Sequence, residues 1–166
     1  MKVAINVTAM ILALVALVAF IDWILGLGGM FCYNYVPGCS HFAFLSHLSL
    51  KLILGKIFAI FAIIIGVPLH DSSTVGALMG TKLVLNEMVA YVGLTHVAQS
   101  LDPKSFMIAS FALCSFGNFG SIAIQIGGIG ELAPNQKKNL ARLGLRALIC
   151  GTLSCYLSAA IVGVLL

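Results

Sequence analysis

The sequence predicts an all-α integral membrane protein with a scaffold transmembrane helix, an interfacial helix, a re-entrant helical hairpin, a broken transmembrane helix and a terminal transmembrane helix. Composition comes first: of 166 residues, 61% are hydrophobic and 8% charged, and the mean hydropathy is +1.12. A soluble domain carries roughly a quarter charged residues. Second, the uncharged runs at 105–130 and 147–166 are long enough to cross a hydrocarbon core, which takes about 20 helical residues. Third, the stretch "KLVLNEMVAYVGL" (82–94) sets Asn86 and Glu87 between two apolar arms that are each too short to cross alone.

Residues 3–27, "VAINVTAMILALVALVAFIDWILGL", are long enough for a tilted span, with Asp22 and Trp23 near the far interface, where aromatic side chains anchor. The Met1-Lys2 start followed by an apolar run has the outline of a signal peptide. Yet the run from Val3 to Ile21 exceeds an h-region and leads into Asp22 rather than a small-residue cleavage site, so it reads as a retained span. A loop from Gly28 to about Ser46 follows. Residues 1–46 thus form the first span with its outer loop, and 47–166 form a second unit.

Residues 47–69 carry Lys51 and Lys56 in their first half, which leaves an uncharged run of about 13 residues, too short to span. An interfacial helix over about 47–67 fits better, and Pro68 ends it. In the next segment, about 70–98, the apolar arms Val75–Leu85 and Met88–Ala98 have about 11 residues each, roughly 16 Å of helix against a core of about 30 Å. Two half-length helices that enter and leave on one side form a re-entrant hairpin. Such a bend survives only where protein or a water-filled cavity shields its backbone.

The run at about 104–130 can span, but "SFGNFGS" places glycines, serines and Asn118 at mid-depth, which predicts a broken helix with free backbone groups. The last helix, about 139–166, follows a loop holding Lys137 and Lys138, with Arg142 and Arg146 close to it. Positive loops stay cytoplasmic. Threading backwards, the hairpin opens to the outside, the interfacial helix lies on the outer face, and the first helix begins inside at Lys2.

A carboxylate at mid-membrane costs about 2.5 to 3.5 kcal/mol on insertion scales and marks a functional site by default. Glu87 at the hairpin tip, with Asn118 and Ser121 at the helix break and Asn86 and Lys82 in support, would surround one midplane point. Transporters place substrate between discontinuous helices in this way. Each residue also has a structural reading: Glu87 as an ion pair with Lys82, and Asn118 and Ser121 as interhelical hydrogen bonds worth about 1 kcal/mol.

Five cysteines show no metal-ligand spacing. Cys114, Cys150 and Cys155 lie in apolar runs and read as inert core residues. Cys32 and Cys39 flank a Pro-Gly turn and can pair as a disulfide if their loop faces an oxidising compartment; two free thiols are the alternative. The histidines, His41, His47, His70 and His96, fall in loops or near interfaces, which argues against a haem between helices. "GALMGTK" lacks phosphate-loop spacing, no Ser/His/acid set shares one depth, and no basic run indicates nucleic-acid binding. No metal site, resident cofactor or enzymatic activity is expected.

The segments "GALMGTKLVLNEMVAY", "SFALCSFGNFGSIAIQIGGIGELAP" and "LGLRALICGTLSCYLSAAIVGVL" together resemble the C-terminal half of the concentrative nucleoside transporter family, over nearly the whole chain. Two departures stand beside the polar residues: Met88 where N-E-F-V-A-Y has phenylalanine, and Ser115 and Gly117 where C-G-F-A-N-F is common. They bear on pocket shape more than on identity. The resemblance implies one of two inverted repeats, the second, in a homotrimeric nucleoside symporter of the plasma membrane (a bacterial inner membrane), with Glu87, Asn118 and Ser121 on the ribose hydroxyls. A site built to pair with hydroxyls rejects analogues that lack them, because its own polar groups would go unpaired.

The same resemblance puts the nucleobase contacts and the site of the coupling ion, sodium or proton, in a first repeat absent from these residues. A lone repeat cannot form a site between repeats. The chain is therefore expected to be a fragment of a longer transporter or one half of a split one, partnered by an N-terminal half. The competing reading is a non-transporting truncated subunit that only joins trimers.

Overall fold

The computed structural model describes residues 2–35 and 49–166. Among the described residues the chain is all helical: α1 (Lys2–Tyr35), α2 (Leu50–Ile64), α3 (Leu69–Val84), α4 (Glu87–Val97), α5 (Pro103–Leu113), α6 (Phe119–Leu132) and α7 (Lys137–Leu165), with single 3₁₀ turns at Ala98–Ser100 and Pro134–Gln136. Two stretches, Lys2–Leu27 and Pro134–Leu165, are long and apolar enough to cross a membrane by length and composition. The longest of α3 to α6 has 16 residues, about 24 Å at 1.5 Å per residue, short of a hydrocarbon core.

The first helix corrects the sequence reading. It continues to Tyr35, through residues 28–35 that were expected to open a loop. Gly28 and Gly29 cost only about 1 kcal/mol each in a helix, too little to end one without a competing cap or proline. Cys39, His41, His47 and the side chain of Cys32 lie outside the described residues, and so does the predicted disulfide.

Helix α2 begins at Ser49, whose Oγ accepts the Leu52 N–H at 3.1 Å, while Asp22 of α1 accepts the Leu50 N–H at 2.6 Å. It stops where Gly66 turns left-handed (φ 102°) and Pro68 follows. The chain then folds back tightly. A Cβ on Gly76 would lie 2.4 Å from Ala59 N, and one on Gly80 would lie 2.8 Å from Gly55 N. Gly76 and Gly80 on α3, facing Gly55 and Ala59 on α2, form a small-xxx-small seam that lets the two backbones touch.

Helix α4 returns along α3 after the two-residue link Leu85–Asn86. A Cβ on Gly93 would lie 2.9 Å from Leu78 Cδ2, so a residue seven beyond the link meets one seven before it, and the pair is antiparallel. At the open end of this pair, Asp71 Oδ2 accepts the Asp102 N–H at 3.0 Å, and His70 Nε2 lies 3.0 Å from Asp102 Oδ2. Both contacts tie the pair to the start of α5.

The core lies where α2 to α5 meet α7, around Val75, Met79, Ile108 and Leu113, which have no exposed surface, and Tyr156. Helix α6 packs instead against α1, with Gly127 facing Val7 and Met10, and against α7, with Gly144 facing Ile122. The exterior is apolar: Leu12, Ile64 and Val164 are all more than two-thirds exposed. Between α6 and α7, Lys137 Nζ lies 2.6 Å from Glu131 and holds that carboxyl below the usual carboxylate range.

Candidate functional site

The ends of α3 and α5 and the starts of α4 and α6 are joined by side-chain hydrogen bonds in two pairs, α3 with α5 and α4 with α6. Two of them, the starts of α4 and α6, are built alike. Asn86 and Asn118 occupy the N-cap positions with extended backbones (φ −165° and −148°). Asn86 Oδ1 accepts the Val89 N–H at 2.9 Å, and Asn118 Oδ1 accepts the Ser121 N–H at 2.8 Å. Each cap satisfies one of the orphan donors that open a helix and is worth about 1 kcal/mol.

Glu87 follows Asn86, and its Oε2 accepts a hydrogen bond from Asn118 Nδ2 at 2.9 Å. The amide of Asn118 therefore has a fixed orientation, with oxygen toward its own helix and nitrogen toward the carboxylate. The positive ends of two helix dipoles flank this carboxylate, and that is where a negative charge is stabilised. Ser121 Oγ lies within hydrogen-bonding reach of both the Phe116 carbonyl and Asn118 Oδ1, the latter at 3.1 Å, and its single proton serves one of them at a time. The structure thus brings Glu87, Asn118 and Ser121 into one connected set. Asn86 acts within α4 as its cap. Asn118 is buried and Glu87 half-buried, and among the described residues no hydrogen bond reaches Glu87 Oε1.

Lys82 does not pair with Glu87. Its ammonium donates to the Ala112 carbonyl at 3.1 Å and to Ser115 Oγ at 2.7 Å, which overturns the ion-pair alternative. The reason is the α5 terminus. The last four carbonyls of any helix lack intrahelical donors, and here side chains from three other helices reach three of them. Tyr91 OH of α4 donates to Ser110 O at 2.8 Å, Cys155 Sγ of α7 to Phe111 O at 3.0 Å, and Lys82 of α3 to Ala112 O.

Cys155 is half-buried and has a partner, whereas Cys114 and Cys150 are exposed on the chain, so the reading of those two as core residues is corrected. Apolarity of a run does not say which face of its helix is buried. Ser115, expected only to shape a pocket, supplies a hydrogen bond. Sequence reasoning also passed over Tyr91, although it lies one turn after Glu87 on α4. Phe116 was missed as well; it is 77% exposed and stands two residues before Asn118 in the break.

A cleft of about 320 Å³ between α6 and α7 is lined by Gly117, Asn118, Ser121, Gln125 and Leu148. A second cleft of about 380 Å³, beside α1, is lined by Asp22, Leu85, Asn86 and Gly120. Glu87 lines neither, so neither cleft alone is the site that its carboxylate serves.

A family model described as Na+ dependent nucleoside transporter C-terminus matches residues 1–163. The chain is 45% identical to the uncharacterized transporter YutK of Bacillus subtilis (strain 168) and 37% identical to nucleoside permease NupC of Helicobacter pylori (strain ATCC 700392 / 26695), each over 98% of this chain and 38% of that protein. Its fold superposes on the structure of a doubly substituted CNTnw in an outward-facing state with a TM-score of 0.83 at 38% identity, covering 98% of this chain and 39% of that one. The chain spans less than two-fifths of the length of these relatives. With the family model matching residues 1–163 and the fold agreeing at this identity, the chain belongs to the concentrative nucleoside transporter family, as its C-terminal domain.

Proposed function

We propose that this chain is the ribose-binding half of an ion-coupled nucleoside symporter. The observation that carries the reading is the Glu87–Asn118 pair at the meeting of two helix N-termini. A vicinal diol needs both acceptors and donors. Glu87 Oε1 offers an acceptor, the second hydrogen of Asn118 Nδ2 a donor, and Ser121 Oγ can serve as either. Hydrogen bonds to an ionised group are the stronger kind, about 1.5 to 3 kcal/mol each. Phe116, two residues before Asn118, has an exposed ring, a flat surface on which an aromatic base can stack.

In this reading α1 and α7 span the membrane, α2 lies at the interface, α3 and α4 form the re-entrant hairpin, and α5 and α6 form the broken span. Lys137, Lys138, Arg142 and Arg146 face the cytoplasm of a plasma membrane. The coupling ion, sodium or proton, binds in the N-terminal half, and the complete protein is a homotrimer. The relatives' names and the length of chain they have beyond the matched region support this division. The intact polar set argues against a non-transporting remnant.

The test is uptake of labelled uridine in a transport-deficient bacterium expressing this chain alone, and then with the N-terminal half of a related transporter. Uptake only with the partner is expected. No uptake in either case, with insertion confirmed, would favour the remnant, and uptake by the chain alone would contradict a site shared between halves.

A further inference from the structure

Lys82 has 1% of its surface exposed, among the most enclosed side chains of the chain, and no carboxylate lies within ion-pair distance of it among the described residues. Burying an unpaired ammonium is costly, and methionine or leucine would fill the same space without that cost. What surrounds its charge is specific. The Ala112 carbonyl and Ser115 Oγ accept from it, and the Tyr156 ring lies 5.9 Å away, within the range where a cation is attracted to an aromatic face. Ala112 is in the last turn of α5, the negative end of that helix dipole.

A carbonyl, a hydroxyl and a helix C-terminus directed at one point are the ligand set that broken membrane helices offer to a monovalent cation. We infer that the Lys82 ammonium is a tethered substitute for such a cation: α3 carries the charge to the α5 terminus and holds it there permanently. The chain from Leu113 runs through Ser115 to Asn118 in five residues, so the cation that anchors Ala112 and Ser115 also sets where Asn118 meets Glu87. Lys82 is then a positioning residue for the sugar site, and this break needs no dissolved ion of its own. The effect on nucleoside binding rests on the reading proposed above; the cation site itself does not.

The experiment uses the complete transporter, this chain with its N-terminal half, purified in detergent. Lys82→Ala leaves space for a small cation, and the nearly isosteric Lys82→Met keeps the packing while removing the charge. Melting temperature is followed as sodium, methylammonium, n-propylammonium or choline chloride is titrated, and uridine affinity is measured alongside. The expected result is a saturable rise in the melting temperature of Lys82→Ala with methylammonium or n-propylammonium but not with choline, no such rise in wild type or Lys82→Met, a sodium response of Lys82→Ala larger than any that the coupling site gives all three proteins, and uridine binding at least tenfold weaker in Lys82→Met. Uridine binding by Lys82→Met at wild-type strength would overturn the proposal even if Lys82→Ala fails to fold. A folded Lys82→Ala that responds to every cation only as wild type does would overturn it too. If wild type binds no nucleoside, the transport reading fails, while the melting titration still decides the cation site.

Discussion

Asn118 Nδ2 donates to Glu87 Oε2 at 2.9 Å, joining two residues 31 positions apart in the sequence, each in the first turn or cap of its own half-helix. One amide thus caps α6 with its oxygen and fixes the carboxylate of α4 with its nitrogen. Two interruptions of the backbone, each costly in a membrane, are thereby joined at a single hydrogen bond.

Replacing Asn118 therefore does two things at once. Asn118→Ala should cost about 1 kcal/mol or more from the lost cap and should release Glu87. Asn118→Asp keeps a capping oxygen but sets a second carboxylate against the first, where two like charges cannot both ionise cheaply. Uridine uptake in the complete transporter should fall at least tenfold in both, and thermal stability in detergent should separate them, with the aspartate variant losing its cap less and its affinity more.

Asn86 offers a control on the same geometry. Its side chain serves the α4 cap, so Asn86→Ala should lower stability by about 1 kcal/mol and Asn86→Ser should restore most of it. Melting temperatures of the three proteins check this. Equal melting of the alanine variant and wild type would refute the cap.

The α2–α3 seam predicts a strong contrast between two glycines. A Cβ on Gly76 meets Ala59 backbone at 2.4 Å, where nothing can yield without moving a helix, whereas nothing lies within 4 Å of a Cβ on Gly26. Gly76→Ala should destabilise by about 1 to 3 kcal/mol. Gly26→Ala should be neutral or stabilise by about 0.5 to 1 kcal/mol. Detergent melting curves of both variants test the packing without reference to transport.

Phe116 should matter to ligand and not to fold. It is exposed and anchors no core contact, so Phe116→Ala should leave melting unchanged and weaken uridine binding by about 1 to 3 kcal/mol, the range of base–aromatic stacking. Phe116→Tyr should retain most of the affinity. An unchanged affinity in Phe116→Ala would remove the ring from the site.

The sequence made the helical class plain, since apolar runs this long with so few charges admit little else. It also marked where helices cannot continue: the Cys114–Asn118 interruption overlaps the glycine- and serine-rich "SFGNFGS" (115–121), and the Leu85–Asn86 link falls beside Glu87. The end of α1 was not legible, because two glycines look like a loop when the only opposing argument is the absence of a better cap. The partners of Lys82 were hidden for a different reason. An acidic residue five positions away is visible in one dimension, whereas the Ala112 carbonyl is backbone and leaves no mark on the sequence at all. For the same reason the roles of Tyr91 and Cys155 emerge only once α5 is seen to end inside the bundle.

The most direct test of the proposed site is the affinity of the complete transporter for uridine and for 2′,3′-dideoxyuridine, measured for wild type and for Glu87→Gln with membrane insertion confirmed. If Glu87 accepts from the ribose hydroxyls, wild type should prefer uridine by roughly 10- to 100-fold, the worth of hydrogen bonds to a charged group, and the mutant should lose most of that preference. A Glu87→Gln protein that still discriminates between the two ligands as wild type does would contradict the assignment of Glu87 to the sugar.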